Sequence, residues 1–194
     1  YDTTHVPVGD DQKQHLELCR DIAQKFNNDF NVNDFFKVPE PLIQKEFSRI
    51  MSLKDGLKKM SKSKLSDLSR INLTDEKDQI INKIKKAKTD PLSMPKDIKE
   101  LDGRLEAKNL LGIYSSLNNS NLEKSINKFS SKNFLEFKQQ LSELLINKIL
   151  PISQEIKKLL QDHNYLDSIL LDGVEKANKI ASKKIKNIKE IVGF

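Results

Sequence analysis

Apolar and polar positions alternate along this chain with more than one period. His5-Val6-Pro7-Val8 is a short run with two β-branched residues, closed by Gly9, and it predicts a strand. Asp10 and Asp11 follow, the acidic residues that favour a first helical turn. Leu16, Cys19, Ile22, Ala23 and Phe26 then recur at helical spacing up to Asn27-Asn28, which predicts a helix with Cys19 on its core face. Residues 29–45 have no period and contain Pro39 and Pro41, so they read as irregular. The stretch from Phe47 to Leu53 reads as a short strand or turn and Asp55-Gly56 as a turn; Lys58 to Ser66 has no core face and reads as a loop.

From Leu73 onward every apolar period is helical. Thr74 is the expected N-cap for a helix carrying Ile80, Ile81, Ile84 and Ala87, ended by Pro91 and Pro95. Leu101 to Leu117 predicts a second helix, and Leu122, Ile126 and Phe129 a short third one. Phe134, Phe137, Leu141, Leu144, Leu145 and Ile149 form a strong stripe up to Pro151, a residue that begins or kinks the next helix. Leu166, Leu170, Val174, Ala177, Ala181, Ile185, Ile188 and Val192 carry a stripe to the C-terminus with lysines between them. The pattern predicts an α/β part over residues 1–74 and an all-α part over 75–194, a bundle of four or five helices. Only six Gly and six Pro in 194 residues fit a mostly helical chain.

Composition narrows the picture. The single cysteine excludes an internal disulfide framework, and no apolar run approaches the ~20 residues of a membrane-spanning helix. The chain has 34 Lys and Arg against 28 Asp and Glu, a net charge of +6. Residues 1–75 hold 12 basic and 12 acidic side chains, so the whole excess lies in the helical part. Such asymmetry points to a polyanionic partner, or to lysine-decorated solvated helix faces.

Three segments hold candidate chemistry. Val8-Gly9-Asp10-Asp11-Gln12 joins a strand to a helix, where ligands approach backbone N–H groups and where carboxylates suit ribose hydroxyls; it also reads as a capped helix start. Lys58-Lys59-Met60-Ser61-Lys62-Ser63-Lys64 alternates four lysines with two hydroxyls. That is a solvated basic loop, or one that follows negative charge developing on a leaving pyrophosphate. Lys83, Lys85, Lys86 and Lys88 form either a phosphate-facing cluster or a hydrated helix face. His5, His15 and His163 have no zinc-ligand spacing, and there is no GxxxxGK[ST] phosphate loop.

Lys59-Met60-Ser61-Lys62-Ser63 is identical to the KMSKS signature of class I aminoacyl-tRNA synthetases. Val6 to Leu18, Arg20 to Ala23, Phe26-Asn27, Ile50 to Leu53, Ser66 to Leu73 and Leu110 to Tyr114 resemble the bacterial tryptophanyl members in register along the whole chain. The resemblance implies the later part of a Rossmann-like catalytic domain, then a helical anticodon-recognising domain. It implies an ATP-dependent tryptophan–tRNA ligase, cytoplasmic and homodimeric, with ATP and its Mg²⁺, tryptophan and tRNA as ligands. By resemblance, Gly9, Asp10, Asp11, Ile50 and Lys59, Met60, Ser61, Lys62 and Ser63 face ATP. Val6, Val8 and Gln12 belong to the amino-acid pocket, and Lys59 and Lys62 stabilise the leaving pyrophosphate.

The chain departs from that family in two ways. None of the three histidines begins a His-x-Gly-His-type ATP signature, and Lys64-Leu65 stands where Asp-Pro often follows the KMSKS loop. With Tyr1 as its first residue, the chain is expected to match about the C-terminal 60% of such an enzyme and to be inactive by itself. A non-catalytic RNA-binding module and a tyrosine-specific relative are the alternatives. The Val-Pro-Val-Gly-Asp-Asp-Gln context favours tryptophan.

Overall fold

The computed structural model describes residues 1–9, 12–43, 49–130 and 132–194. Asp10 and Asp11, expected to open the first helix, and Phe47, expected in a short strand, lie outside these. The chain divides into two compact units, residues 1–48 with 162–194, and residues 49–161. The Thr74–Asp75 junction falls within the second unit.

The first unit contains a βαβ crossover. Strand β1 (His5–Pro7) pairs in parallel with β2 (Glu40–Leu42), and α1 (Lys13–Asp29) connects them. Strand β2 lies in the segment expected to be irregular; Pro41 sits opposite Val6 in this two-stranded ladder, at an edge, where a missing N–H is tolerated. α1 buries Leu16 and Ala23. Cys19 is exposed and Ile22 is 58% exposed, so neither lies on a core face in this chain as the apolar period predicts. Beyond α1 the chain folds over Phe26, which meets Phe30, Phe35 and Phe36 at ring distances of 4.7, 5.7 and 4.8 Å. Asn27 fixes this turn by exchanging two 2.9 Å hydrogen bonds with the Phe36 backbone. Helix α6 (His163–Val192) completes the unit; its Lys184 ammonium sits 4.0 Å from the Phe35 ring centre and 2.7 Å from Asp2.

The second unit packs a hairpin against four helices. Strands β3 (Met51–Ser52) and β4 (Asp55–Lys59) are antiparallel around a turn at Leu53-Lys54. Asp55-Gly56 therefore lies within β4 instead of forming the turn, and Lys58 and Lys59 belong to the strand, not to the loop. The helices are α2 (Lys77–Lys85), α3 (Leu105–Leu117), α4 (Leu122–Phe129) and α5 (Phe134–Leu159). A 3₁₀ turn at Lys99–Leu101 separates α3 from the start expected at Leu101. Glu76, not Thr74, caps α2, through a reciprocal capping box with Gln79. α2 stops at Lys85, before either proline. α5 continues through Pro151, where no N–H is available for the Asn147 carbonyl.

The core of this unit gathers Ile80 and Ile84 from α2, Leu110, Leu111 and Tyr114 from α3, Ile126 and Phe129 from α4, and Phe137, Leu141 and Leu145 from α5. Tyr114, Phe129 and Phe137 meet edge to face at 4.9 and 4.8 Å. This geometry adds attraction beyond the area they bury.

Candidate functional site

The expected site residues fall into two groups, one in each unit. In the first unit, Val6 and Val8 are two residues apart on extended chain, so both point to the same side, and both are half-buried. The Val8 N–H donates to the Leu42 carbonyl at 3.2 Å, extending the parallel ladder to the strand end. The Gly9 carbonyl then accepts from the Gln12 N–H at 3.0 Å, which turns the chain into α1. The Gln12 side chain is exposed and makes no capping hydrogen bond. Asp10 and Asp11 lie outside the described residues.

In the second unit, Ile50 and Lys59-Met60-Ser61-Lys62-Ser63 come together because the β3–β4 hairpin folds back on itself. Met51 is opposite Lys59 in the ladder, and the Met60 N–H donates to the Ile50 carbonyl at 3.0 Å. The loop leaves the hairpin with the Ser61 and Ser63 hydroxyls 2.8 Å apart and the Ser63 N–H donating to Ser61 Oγ at 3.3 Å. Lys59 and Lys62 are exposed, and Met60 is half-buried against the core. Beside the loop lies a cleft of about 620 Å³ lined by Lys54, Lys58, Ser63, Lys64 and Ser66 among others. Asp55 also lines it and pairs with Lys58 at 3.1 Å, so Lys54 and Lys64 are the net positive charge at the cleft, a balance that favours an anion there. The Leu57 N–H and then Lys58 hold the Asp55 carboxyl below its ordinary value.

The hairpin is placed by residues that the apolar pattern does not single out. Asn109 of α3 acts as a surrogate strand: its Oδ1 accepts from the Met51 N–H at 2.9 Å and its Nδ2 donates to the Met51 carbonyl at 2.8 Å. The available signal is a polar residue just before the apolar run Leu110-Leu111-Gly112-Ile113. Gly56 lets β4 approach the start of α3, since a Cβ there would sit 2.9 Å from Leu105 Cβ. After the loop, Arg70 Nη1 donates to the Lys64 carbonyl at 2.9 Å and Ser69 Oγ donates to the Ser66 carbonyl at 2.7 Å.

The expected lysine cluster on α2 is not a single surface. Lys83 is buried against Asp75 and Asp67, so it faces neither solvent nor a phosphate. Lys88 pairs with Glu106 at 2.7 Å and thereby lowers the Glu106 carboxyl pKa; Lys85 and Lys86 are exposed. Lys138 of α5 donates to the carbonyls of Lys85 and Ala87, covering the C-terminal end of α2. Burial, then the nearby Lys54 charge, lowers the Lys138 pKa. Among the described residues, no three His, Cys, Asp or Glu side chains gather as a metal site, and no helix is long and apolar enough to cross a membrane.

Comparison with known proteins matches the whole chain. The tryptophan–tRNA ligase of Caulobacter vibrioides is 50% identical over 194 residues, 100% of this chain and 56% of that protein. The Rickettsia felis tryptophan–tRNA ligase is 51% identical, again over the whole chain and 58% of its own length. The chain thus spans little more than half of the curated relatives it matches. The crystal structure of tryptophanyl-tRNA synthetase from Mycoplasma pneumoniae superposes with a TM-score of 0.84 at 29% identity, covering all of this chain and 57% of that one. The Campylobacter jejuni enzyme, solved with ADP and tryptophan, gives a TM-score of 0.70 at 29% identity over the whole chain and 58% of its own. The model of the family described as "tRNA synthetases class I (W and Y)" matches residues 1–150, so the chain belongs to that family.

Proposed function

We propose that this chain supplies the later part of a tryptophan–tRNA ligase, with residues 1–74 contributing to the catalytic domain and 75–194 to tRNA recognition. The observation that carries the reading is the identity of about half the residues with the Caulobacter vibrioides ligase along the entire chain. The KMSKS pentapeptide on a hairpin-tethered basic loop supports it.

In this reading the tryptophan carboxylate attacks the α-phosphorus of ATP, the bond to the β,γ-phosphates breaks, and pyrophosphate leaves. A tRNA ribose hydroxyl then attacks the carbonyl of the adenylate and AMP leaves. No side chain becomes a covalent intermediate; positioning and charge lower the barrier. Gly9, Asp10 and Asp11 hold the ATP ribose, Ile50 offers its backbone to adenine, and Met60, Ser61 and Ser63 shape the phosphate-facing loop. Val6, Val8 and Gln12 form part of the tryptophan pocket. Lys59 and Lys62 follow the departing pyrophosphate. Mg²⁺ enters with ATP as the partner of its phosphates. The working protein is a cytoplasmic homodimer.

The test joins this chain to the N-terminal part of the Caulobacter vibrioides relative and measures amino-acid-dependent ATP–pyrophosphate exchange. Exchange with tryptophan and not with tyrosine is expected. A folded chimera without exchange, or one driven by tyrosine, overturns the reading.

A further inference from the structure

The KMSKS segment is tied at both ends. On the entry side the Met60 N–H bonds to Ile50. On the exit side the tie runs through side chains. Arg70, with only 17% of its side chain exposed, spends its guanidinium on three acceptors: the Lys64 carbonyl at 2.9 Å, Asp67 Oδ1 at 3.0 Å and Asn72 Oδ1 at 3.0 Å. Asn72 Nδ2 reaches both Asp67, at 2.8 Å, and Asp75, at 3.1 Å. Lys83 Nζ joins the same two carboxylates, 2.6 Å from Asp67 Oδ2 and 2.6 Å from Asp75 Oδ2. Lys83 belongs to α2, whose Ile80 and Ile84 are fully buried, so this end of the network is anchored in the core.

The chain therefore has a continuous line of charge-assisted hydrogen bonds from the core, through Lys83, Asp67 and Arg70, to the carbonyl of Lys64. Such bonds are directional and roughly twice as strong as neutral ones, and a planar guanidinium with three acceptors has little freedom. The tail 63–66 it holds is one wall of the lysine-lined cleft. Lys62 lies two residues from the tethered carbonyl. A catalytic ammonium misplaced by about 1 Å loses on the order of a hundredfold in rate.

We propose that Arg70, oriented by Asp67 on the buried Lys83–Asp75 pair, is a positioning residue that latches the exit of the KMSKS loop. It sets the resting place of Lys62 and is the tether against which the loop moves. The link to pyrophosphate release rests on the ligase reading above; the latch itself does not.

Two measurements decide this. Timed trypsin digestion of the whole chain, read by mass spectrometry, compares cleavage after the exposed Lys62 and Lys64 with cleavage after Lys124 in α4. Arg70→Ala is expected to speed loop cleavage about tenfold by raising the open population, and to leave Lys124 cleavage unchanged. Arg70→Lys keeps the charge but not the planar fork that spans three acceptors, and is expected to fall between. Unchanged loop cleavage in a folded variant overturns the latch, as does equal acceleration at Lys124. If Arg70→Ala does not fold, Arg70→Lys decides by the same comparison.

In the tryptophan-dependent chimera, Arg70→Ala is expected to lower kcat for pyrophosphate exchange at least tenfold with the KM for tryptophan unchanged, and Arg70→Lys to restore part of it. An unchanged kcat overturns the positioning role. A chimera inactive with the unaltered chain overturns the ligase reading, while the digestion still decides the latch.

Discussion

Lys83 and Asp75 form a buried ion pair, with the ammonium 2.8 and 2.6 Å from the two carboxylate oxygens and each side chain only 3% exposed. Asp75 also accepts from the Asn72 N–H at 2.9 Å, so its desolvated oxygens are satisfied from two directions. A pair like this adds little net stability against an apolar replacement but is costly to break from one side. Lys83→Ala leaves Asp75 buried without its cation and is expected to cost about 3–5 kcal/mol in urea unfolding. Lys83→Met combined with Asp75→Leu is expected to cost less than the sum of the two single changes. Additive costs would show that the two residues act independently.

Asp67 bridges the pair to Arg70, and its carboxyl sits below the ordinary carboxylate range, chiefly through the Lys83 hydrogen bond and then that of Asn72. A folded value below the unfolded one means the stabilisation is fully present above the unfolded value, about pH 4. It is lost as pH falls through the lower folded value. Half of this side chain is exposed, so the effect is small. The urea midpoint of the unaltered chain is expected to fall more steeply below pH 4 than that of Asp67→Asn. Parallel curves would remove Asp67 from the acid response.

Gly56 brings β4 close against the start of α3. An added Cβ would lie 2.9 Å from Leu105 Cβ, 3.0 Å from the Leu105 carbonyl carbon and 3.1 Å from the Glu106 nitrogen. Two of these neighbours are backbone, which yields poorly. Gly56→Ala is expected to destabilise by about 1–3 kcal/mol, measured by chemical unfolding. A neutral effect would mean the hairpin shifts freely over the start of α3.

Asn109 carries a separate expectation. Asn109→Leu keeps the bulk but leaves the Met51 N–H and carbonyl without their side-chain partners. The expected cost is about 1–3 kcal/mol, with faster amide exchange at Met51 as the local sign. Protected exchange at Met51 in the variant would assign the anchoring elsewhere.

The stripes on α2 and α5 are legible because burial imposes a helical period over several turns, whereas α6 carries the same period from Leu166 to Val192 with no residue buried, Leu170 being 65% and Val174 53% exposed. Ile80 and Ile84, then Phe137, Leu141 and Leu145, are buried as their spacing predicts. Short elements were less readable. β2 is three residues with Pro41 in the middle, and its pairing with β1 is a contact across more than thirty residues, which no local period carries. Asp55-Gly56 is a strong turn dipeptide, yet the turn is at Leu53-Lys54 and the glycine serves packing against Leu105. Sequence places Lys83 at the surface because lysine is seldom fully buried unless paired, and its partners Asp67 and Asp75 lie 16 and 8 positions back in the chain. The candidate site divides along the same line. The Lys59–Ser63 motif is a contiguous string, legible without the fold. Its supports, Asn109 of α3, Lys83 of α2 and Arg70 in the segment after the loop, are far apart in the chain and become a group only when folded.

That distinction gives the last expectation. Lys62 is exposed on a loop whose exit is held two residues away at the Lys64 carbonyl. An exposed ammonium contributes little to folding, so Lys62→Ala is expected to leave the unfolding midpoint unchanged. In the tryptophan-dependent chimera, its charge would act only where negative charge grows on the departing pyrophosphate. Removing such a preorganised group lowers kcat by about 10²–10³ while ground-state binding of tryptophan is untouched. Lys62→Arg retains the charge but not the compact ammonium, so partial activity is expected from it. Steady-state exchange kinetics of the three proteins separate the outcomes. A fall in kcat with constant KM for tryptophan supports transition-state stabilisation by Lys62. A rise in KM with constant kcat would make Lys62 a binding residue, and an unchanged rate would leave Lys59 to carry the charge alone.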